Sequence, residues 1–576
     1  MRIPLFQLLT LALTHLVGVY AAPTPNSQSA EVVIYGGTSS GVIAAVEVAR
    51  TGGKSVILIE PHSHLGGMTA SGLGWVDTGN SSTIGGIALE FFTRVGKAYG
   101  KKGPQYAIEP HVASSVFHDM ITEVKNVATL YNNKLTSVSR KPGKITSVKL
   151  ENGQIIYGDI FIDASYEGDL MAMANVTYVV GRESKSEFNE STAGATEPQS
   201  IGQGIIVDPW KIEGDPSSGV LPNVHNNTAP VPGTGDQKIM SYNYRLCVTE
   251  NPKNRINLTQ PAGYDPEQFE WLGRYTKALL ANGSQVDTNT YLKLSGLPNG
   301  KYDLNNQGQF STDMVGYSYN YPNGSWTIRG QLMSAHRTYL EGLFWYLRTN
   351  DTIPQPVRNR VEQIGLCADE FKDSEGWPFQ IYIREGRRMR GEYVMTESNI
   401  RGNETVNDTI ALGSYALDAH FIQRIPTQIS KKDGKKVWTT ATEGGSNSWE
   451  NKIPHPYPIS YRSLLPRAEE VSNLLVTVCM SSTHLAYRSI RMEPVYMMMG
   501  HAAGAAAVVA IDRGDTSDSK YTWVFLRSSL REHVQISRLP GGVGNVNTRT
   551  NNDTGSPKGG FAFQNDICSD RILHRI

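Results

Sequence analysis

Three glycines, a threonine and two serines stand together at Gly36-Gly37-Thr38-Ser39-Ser40-Gly41. A tight turn of this kind lets the backbone close on a bulky anion. The free N–H groups that open a following helix would point at the same anion. Glu60 comes about twenty residues later, where a carboxylate accepts hydrogen bonds from a ribose diol. The pair describes a site for the pyrophosphate and ribose of a dinucleotide. Thr38 stands where the usual pattern has its middle glycine. A glycine-rich turn occurs in many α/β proteins, and Glu60 is what argues for the more specific reading.

That unit fits NAD and FAD equally well. Three further segments separate them: Gly66-Gly67-Met68, then Asp163-Ala164-Ser165-Tyr166-Glu167-Gly168, then Arg491-Met492-Glu493-Pro494 leading to Gly500-His501-Ala502-Ala503-Gly504. FAD is long and extended and draws contacts from distant parts of a chain. An NAD half-site does not. The sequence therefore places FAD on Gly36, Gly37, Thr38, Gly41, Glu60, Gly66, Gly67, Met68, Asp163, Gly168, Met492, Gly500, Ala503 and Gly504. A terminal helix starting near Gly500 would aim its dipole at the flavin pyrimidine edge.

Several elements must hold these residues. Glu31–Tyr35 reads as a buried parallel strand, Val42–Arg50 as a helix and Ser55–Ile59 as a second strand, a βαβ unit. Pro142-Gly143 and Asn152-Gly153 mark hairpin turns among short strands, and Ile160–Ile162 leads a further strand into Asp163. A last strand is expected at Leu474–Val478. The fold class is α/β: a Rossmann-type FAD-binding domain, glutathione reductase-like, with an inserted α+β substrate lobe. The expected organisation is a signal peptide over 1–22 and the first part of the FAD domain over 31–198. The lobe follows over 199–454, the return segment over 455–513, and a C-terminal helix and tail over 514–576.

Composition limits the partners. The 54 basic and 54 acidic residues cancel. No field favours nucleic acid or an anionic membrane. Arg2, the apolar Leu5–Val19 stretch and the small residues near Ala21 form a secretory leader, and no later stretch looks apolar enough to span a bilayer. Asn-X-Ser/Thr sequons recur from Asn80 to Asn552, as a secreted glycoprotein would carry. Cys247, Cys367, Cys479 and Cys568 show no metal-binding spacing and permit up to two disulfides. No HExxH occurs.

The chain resembles a family of FAD-dependent oxidoreductases. It opens on the GGTxxG turn and carries Asp163-Ala164-Ser165-Tyr166-Glu167-Gly168-Asp169-Leu170. Asn243-Tyr244-Arg245, Lys301-Tyr302-Asp303-Leu304-Asn305-Asn306 and Gly365-Leu366-Cys367-Ala368-Asp369-Glu370-Phe371 follow. Arg384-Glu385-Gly386-Arg387-Arg388-Met389 and the run from Ser481 to Pro494 complete the set, with Thr483 where the family has serine. The resemblance spans roughly residues 31–513. It implies a flavin fold like that of glutathione reductase and fumarate reductase flavoproteins, but no single reaction; some members are labelled xanthan lyase. Some flavoproteins of this wider group attach FAD to a histidine near the second strand, and His64 is the matching candidate here.

The resemblance sets Arg491-Met492-Glu493-Pro494 against the flavin ring. His484, just before it, is then a candidate base for a substrate proton, or a structural histidine. Arg491 could grip a carboxylate or the reduced flavin, or pair with Glu493 or another acid. His111 is a second base candidate, or a helix cap. Arg384 and Arg388 have the spacing of one helical face, with Asp369, Glu370 and Glu385 as expected ion-pair partners. The leading expectation is a secreted oxidase or dehydrogenase. It would take a hydride from a small organic substrate, a carbohydrate or secondary-metabolite intermediate, and pass electrons to O2 or a small acceptor. A polysaccharide lyase or isomerase with a structural flavin, and a non-catalytic flavin-binding protein, are the alternatives.

Overall fold

The computed structural model describes residues 26–431, 433–445 and 452–517. The expected leader and most of the C-terminal tail lie outside them.

Val32, Val33, Ile34 and Tyr35 are apolar and β-branched or aromatic, and all four are buried. They form the end of strand β1, Ser27–Tyr35. Helix α1, Ser39–Gly52, follows at once, and β2, Val56–Ile59, lies parallel to β1 with Ile34 opposite Leu58. β3, Val127–Leu130, continues the parallel set beside β2. β4, Leu135–Lys141, and β5, Lys144–Leu150, form a hairpin turned at Gly143. β6, Ile155–Asp163, is antiparallel to β5 near its start and parallel to β1 along its length. β7, Leu474–Val476, returns after a long excursion to pair in parallel with the end of β6. The order is β3-β2-β1-β6-β5-β4, with β7 on β6. The C-terminal ends of β1, β2, β6 and β7 therefore meet on one edge, where ligands bind in open α/β sheets.

The excursion is antiparallel. One five-stranded sheet orders Arg255–Ile256, Gly365–Cys367, Leu246–Thr249, Lys301–Asn306 and Leu292–Leu297. A second joins Gln199–Ser200, Lys436–Glu443 and Gln423–Ser430. The helix Trp326–Thr349 packs within this region and buries Tyr339, Leu343, Phe344 and Leu347.

The terminal helix packs along α1, with α2, Gly86–Ala98, against the same pair and α3, Pro110–Thr122, against α1 and α2. The short α4, His484–Ile490, precedes the terminal α5, Glu493–Arg513. The helix thus begins at Glu493, seven residues before the expected Gly500, because Pro494 at its first turn fixes the helical φ without losing a needed N–H. Gly500 and Gly504 serve packing: a Cβ at Gly500 would collide with the Ser40 carbonyl, and one at Gly504 would lie 2.7 Å from the Ala44 carbonyl. They let α5 touch α1 backbone to backbone. α5 is long and apolar enough to cross a membrane by length and composition, against the expectation that no late stretch is. Nearly all of that window is buried inside the protein, as a core helix would be.

Candidate cofactor cleft and substrate chamber

The glycine turn leaves β1 with Gly36 at φ +100°. A Cβ there would sit 2.6 Å from the Ser165 nitrogen, so the turn presses on the loop after β6. A Cβ at Gly41 would collide with the Gly36 carbonyl. Thr38 replaces the middle glycine with a function of its own. Its hydroxyl caps α1 by accepting from Gly41 N at 3.3 Å and donates to Ala164 O at 2.7 Å. That side chain ties the start of α1 to the end of β6.

Glu60 ends β2 inside the same cleft. One carboxylate oxygen accepts from Gly37 N at 2.6 Å, the other from His62 N at 2.7 Å. Burial pushes its pKa up to about 8. Each oxygen keeps a lone pair for a ribose hydroxyl. Gly36, Thr38, Glu60, His62, His64, Gly67, Ser165, Tyr166 and Glu167 line one cleft. Gly67 has φ +53°, and a side chain there would strike the Tyr166 ring. Met68 N donates to the Tyr166 hydroxyl at 2.8 Å. These residues fit a dinucleotide: the N-terminus of α1, glycines with no room for a Cβ, and a diol-binding carboxylate.

The remaining predicted cofactor residues divide. Asp163 accepts from Ser165 N at 3.0 Å and Met171 N at 2.8 Å, and burial lifts its pKa to about 6. It shapes the Ser165–Gly168 wall from behind. Gly168 turns that loop with φ +67°. Met492 is the buried N-cap of α5. Gly500, Ala503 and Gly504 lie inside α5, more than a turn from its N-terminus. His64 stacks on Phe379 with ring centroids 4.3 Å apart and pairs with Asp373 at 2.8 Å. His62 is held neutral by burial, its pKa lowered to about 4.

Glu493, which the sequence left as a mere partner for Arg491, is the fastening point. It is buried at the first turn of α5. Its carboxylate accepts from Ser39 at 2.5 Å, Thr69 at 2.7 Å and Tyr166 at 2.8 Å. One side chain joins α1, the Gly67–Ala70 turn, the loop after β6 and α5. Burial raises its pKa, and the three hydroxyls partly offset that.

From the cleft, the segment Met68–Gly74 runs against the inserted lobe. Ser71 Oγ accepts from Gln380 N at 2.8 Å, and a Cβ at Gly72 would collide with the Arg245 carbonyl. Beyond it, side chains from distant segments converge. Tyr415 donates to Asp77 at 2.9 Å. Arg491 pairs with Asp418 at 2.7 Å, not with Glu493. His420 Nε2 lies 3.2 Å from the same Asp418, and its Nδ1 lies 2.8 Å from Asp313. Arg384 pairs with Asp313 at 2.9 Å. Arg245, ion-paired with Asp303, and Arg384 both lie over the Tyr382 ring, at 5.3 and 5.0 Å. Arg384 Nε and Arg491 Nε are buried without a hydrogen-bond partner.

Asp418 keeps 36% of its side-chain surface open. Burial nonetheless acts on it most strongly and would raise its pKa; facing His420, Arg491 and Arg384 overcome that and hold it well below the usual carboxylate range. Asp418 is thus the open member of an otherwise largely buried cluster of charged side chains. Asp77 is raised by burial, against the opposing pull of Arg245.

The other predicted bases sit elsewhere. His484 Nδ1 lies 2.9 Å from Glu385, and its backbone N donates to Glu183 at 2.7 Å. Arg388 closes that network on Glu183. His111 is half-exposed in a cluster with Glu370, Glu109 and Lys301. Lys301 bonds both glutamates, so its ammonium fills the place a metal would take between them. Arg384 and Arg388 do not share a helical face, because residues 384–387 are irregular and Arg388-Met389 form a short strand. Their acids are Asp313 and Glu183, with Arg387 on Asp169, in place of the expected Asp369 and Glu370; of the expected acids Glu385 is reached, by Arg388 at 3.9 Å.

The family model for FAD dependent oxidoreductase matches residues 31–520. The chain belongs to that family. FAD is its cofactor. No curated protein matches the sequence. Among solved structures this oxidoreductase is similar to L-proline dehydrogenase from P. horikoshii, at 18% identity over 28% of this chain and 59% of that one, TM-score 0.22. It is similar to thioredoxin reductase from T. acidophilum, at 16% over 23% and 34%, TM-score 0.17. It is also similar to 3-ketosteroid-delta4-(5alpha)-dehydrogenase from Rhodococcus jostii RHA1, at 13% over 26% and 50%, TM-score 0.18. The likenesses thus span between about a third and three-fifths of those chains.

Proposed function

We propose that this oxidoreductase removes a hydride from a small polar organic molecule, a carbohydrate or secondary-metabolite intermediate, and returns the electrons to O2 or a small acceptor. The observation that carries the reading is the charged cluster of Asp77, Tyr382, Arg384, Asp418, His420 and Arg491, joined along the chain to the cofactor cleft by Met68–Gly74 and Arg491–Glu493. When bound, FAD supplies the two-electron acceptor. The Gly36–Gly41 turn would hold its pyrophosphate and Glu60 its ribose diol.

The chain's own residues do the rest. Arg491 and Asp418 fix a polar group of the substrate, a charge-assisted contact that also sets its orientation. His420 takes the substrate proton at Nε2 once the substrate displaces Asp418 from that nitrogen, while Asp313 on Nδ1 orients the ring. His420 is preferred to His484 because its second partner, Asp418, is partly exposed, whereas His484 and Glu385 are both buried.

Export of the mature protein belongs to the same proposal. The N-terminal leader supports it. So does the exposure of every described sequon asparagine except the half-buried Asn350.

The test is anaerobic bleaching of the flavin against a panel of sugars, alcohols and phenolic polyketides, followed by reoxidation in air. The reading expects one class to bleach the flavin. His420→Asn should slow bleaching by roughly 100-fold or more with FAD retained. A panel without effect, or slowing by His484→Asn alone, would contradict it.

A further inference from the structure

The two strands at the centre of the five-stranded lobe sheet bring two cysteines together. Leu246–Thr249 and Gly365–Cys367 are antiparallel neighbours, with Thr249 opposite Gly365 and Val248 opposite Leu366. The next step of that register sets Cys247 opposite Cys367. Both are buried, packed with Leu297 and flanked by Ala107 and Phe371. Their Sγ atoms lie 3.0 Å apart across 120 residues of chain. Directly opposed antiparallel residues have Cα atoms about 4.5–5.5 Å apart, inside the range a disulfide needs. No backbone movement is required to join them. The third described cysteine differs: Cys479 is buried with its Sγ directed at the Ser165 and Tyr166 carbonyls, 3.6 and 3.4 Å away.

We propose that Cys247 and Cys367 are joined as a disulfide that staples the centre of the substrate lobe, while Cys479 stays a thiol. Each thiol gives up its proton and the pair gives up two electrons. Those electrons pass by exchange to a disulfide-bearing oxidant of the secretory route, which leaves as a dithiol. The bond forms during folding, before the site closes. Once buried, the Cys247 thiol is raised well above its ordinary pKa by burial and by its neighbour, and supplies little thiolate for attack.

The position matters to the chamber. Across the other edge of the Leu246–Thr249 strand, Cys247 faces Asp303 in register. Asp303 in turn holds Arg245 and the Trp75 backbone N–H. A staple at Cys247 therefore fixes the strand that Arg245 leads into, and Arg245 lies over the Tyr382 ring of the proposed substrate site. The source of the oxidant rests on the export reading; the pairing does not.

The experiment expresses the full chain through an oxidising eukaryotic secretory route, with the host's leader replacing residues 1–22. The chain then meets the oxidant whether or not its own N-terminus directs export. A parallel expression with the native leader reports on export alone. The purified holoenzyme is unfolded with an alkylating agent and no reductant, digested and read by mass spectrometry. The expected result is a linked peptide pair carrying Cys247 and Cys367, two hydrogens lighter than the sum of its parts, with Cys479 alkylated. Reductant should then lower the melting temperature by about 4 °C, from the loop closed and the size of the domain. The double variant Cys247→Ala with Cys367→Ala should lose that dependence on reductant. Alkylation of both Cys247 and Cys367, or linkage of either to Cys479, would overturn the proposal.

Discussion

Replacing Glu493 tests how the cleft is assembled. Its carboxylate accepts three hydroxyl hydrogen bonds and is buried at the first turn of α5. Each such bond contributes roughly 1–2 kcal/mol, and hydroxyls left without a partner cost more. Glu493→Ala removes all three acceptors and leaves a cavity. Because bonds within one network do not add, we expect a loss of about 4 kcal/mol, a fall in Tm of roughly 4 °C for a domain of this size. FAD affinity should drop with it, since Ser39 opens the helix that meets the pyrophosphate. Glu493→Gln is the informative companion. Burial raises the Glu493 pKa, so a neutral amide resembles the protonated acid and should cost only about 1–2 kcal/mol. Thermal melts and a titration of apoprotein with FAD, followed by flavin fluorescence, read both variants. A Glu493→Ala protein with unchanged Tm and unchanged FAD affinity would refute the reasoning.

Other outcomes follow from the same geometry. Glu60→Gln should weaken FAD binding by roughly 10-fold, the loss of one acceptor for the ribose hydroxyls, measured in the same titration. Gly500→Ala should destabilise the protein by at least about 2 kcal/mol in urea unfolding, because the added Cβ meets the Ser40 carbonyl and only backbone could yield. Apoprotein stability should fall between pH 6.5 and 8. Glu60 and Glu190 are raised in the fold to about 8 and about 7, so the native state holds protons there that the unfolded chain has released. The opposing histidines, His62 and His336, both lowered to about 4, act only below their unfolded value near 6.5. Melting curves at pH 6.5 and 8 check this, and Glu60→Gln should flatten the slope.

The dinucleotide half of the site was legible because its physics is local. A turn needing Gly36 and Gly41, a strand before it and an acidic residue after it fall within thirty residues. Thr38 departs from the usual pattern, and its reason appears only when Ala164, more than a hundred residues away, supplies the acceptor. The terminal helix was placed too late because Gly500-His501-Ala502-Ala503-Gly504 looks like a helix start. Its small residues answer instead to α1 crossing against them. The charged cluster was not legible. Asp77, Arg245, Asp313, Tyr382, Asp418 and His420 come from separate stretches of irregular chain, and no spacing relates them. The REGRRM arginines misled in the same way. Their periodicity suggested one helical face, but tertiary contacts with Asp169, Glu183 and Asp313 hold an extended backbone.

The visible spectrum of the purified mature protein, taken before and after acid precipitation, tests the central claim most directly. The account predicts oxidised flavin bands in the native protein and one FAD per chain, bleached by substrate without air and restored by it. A colourless protein that cannot be reconstituted with FAD would contradict it.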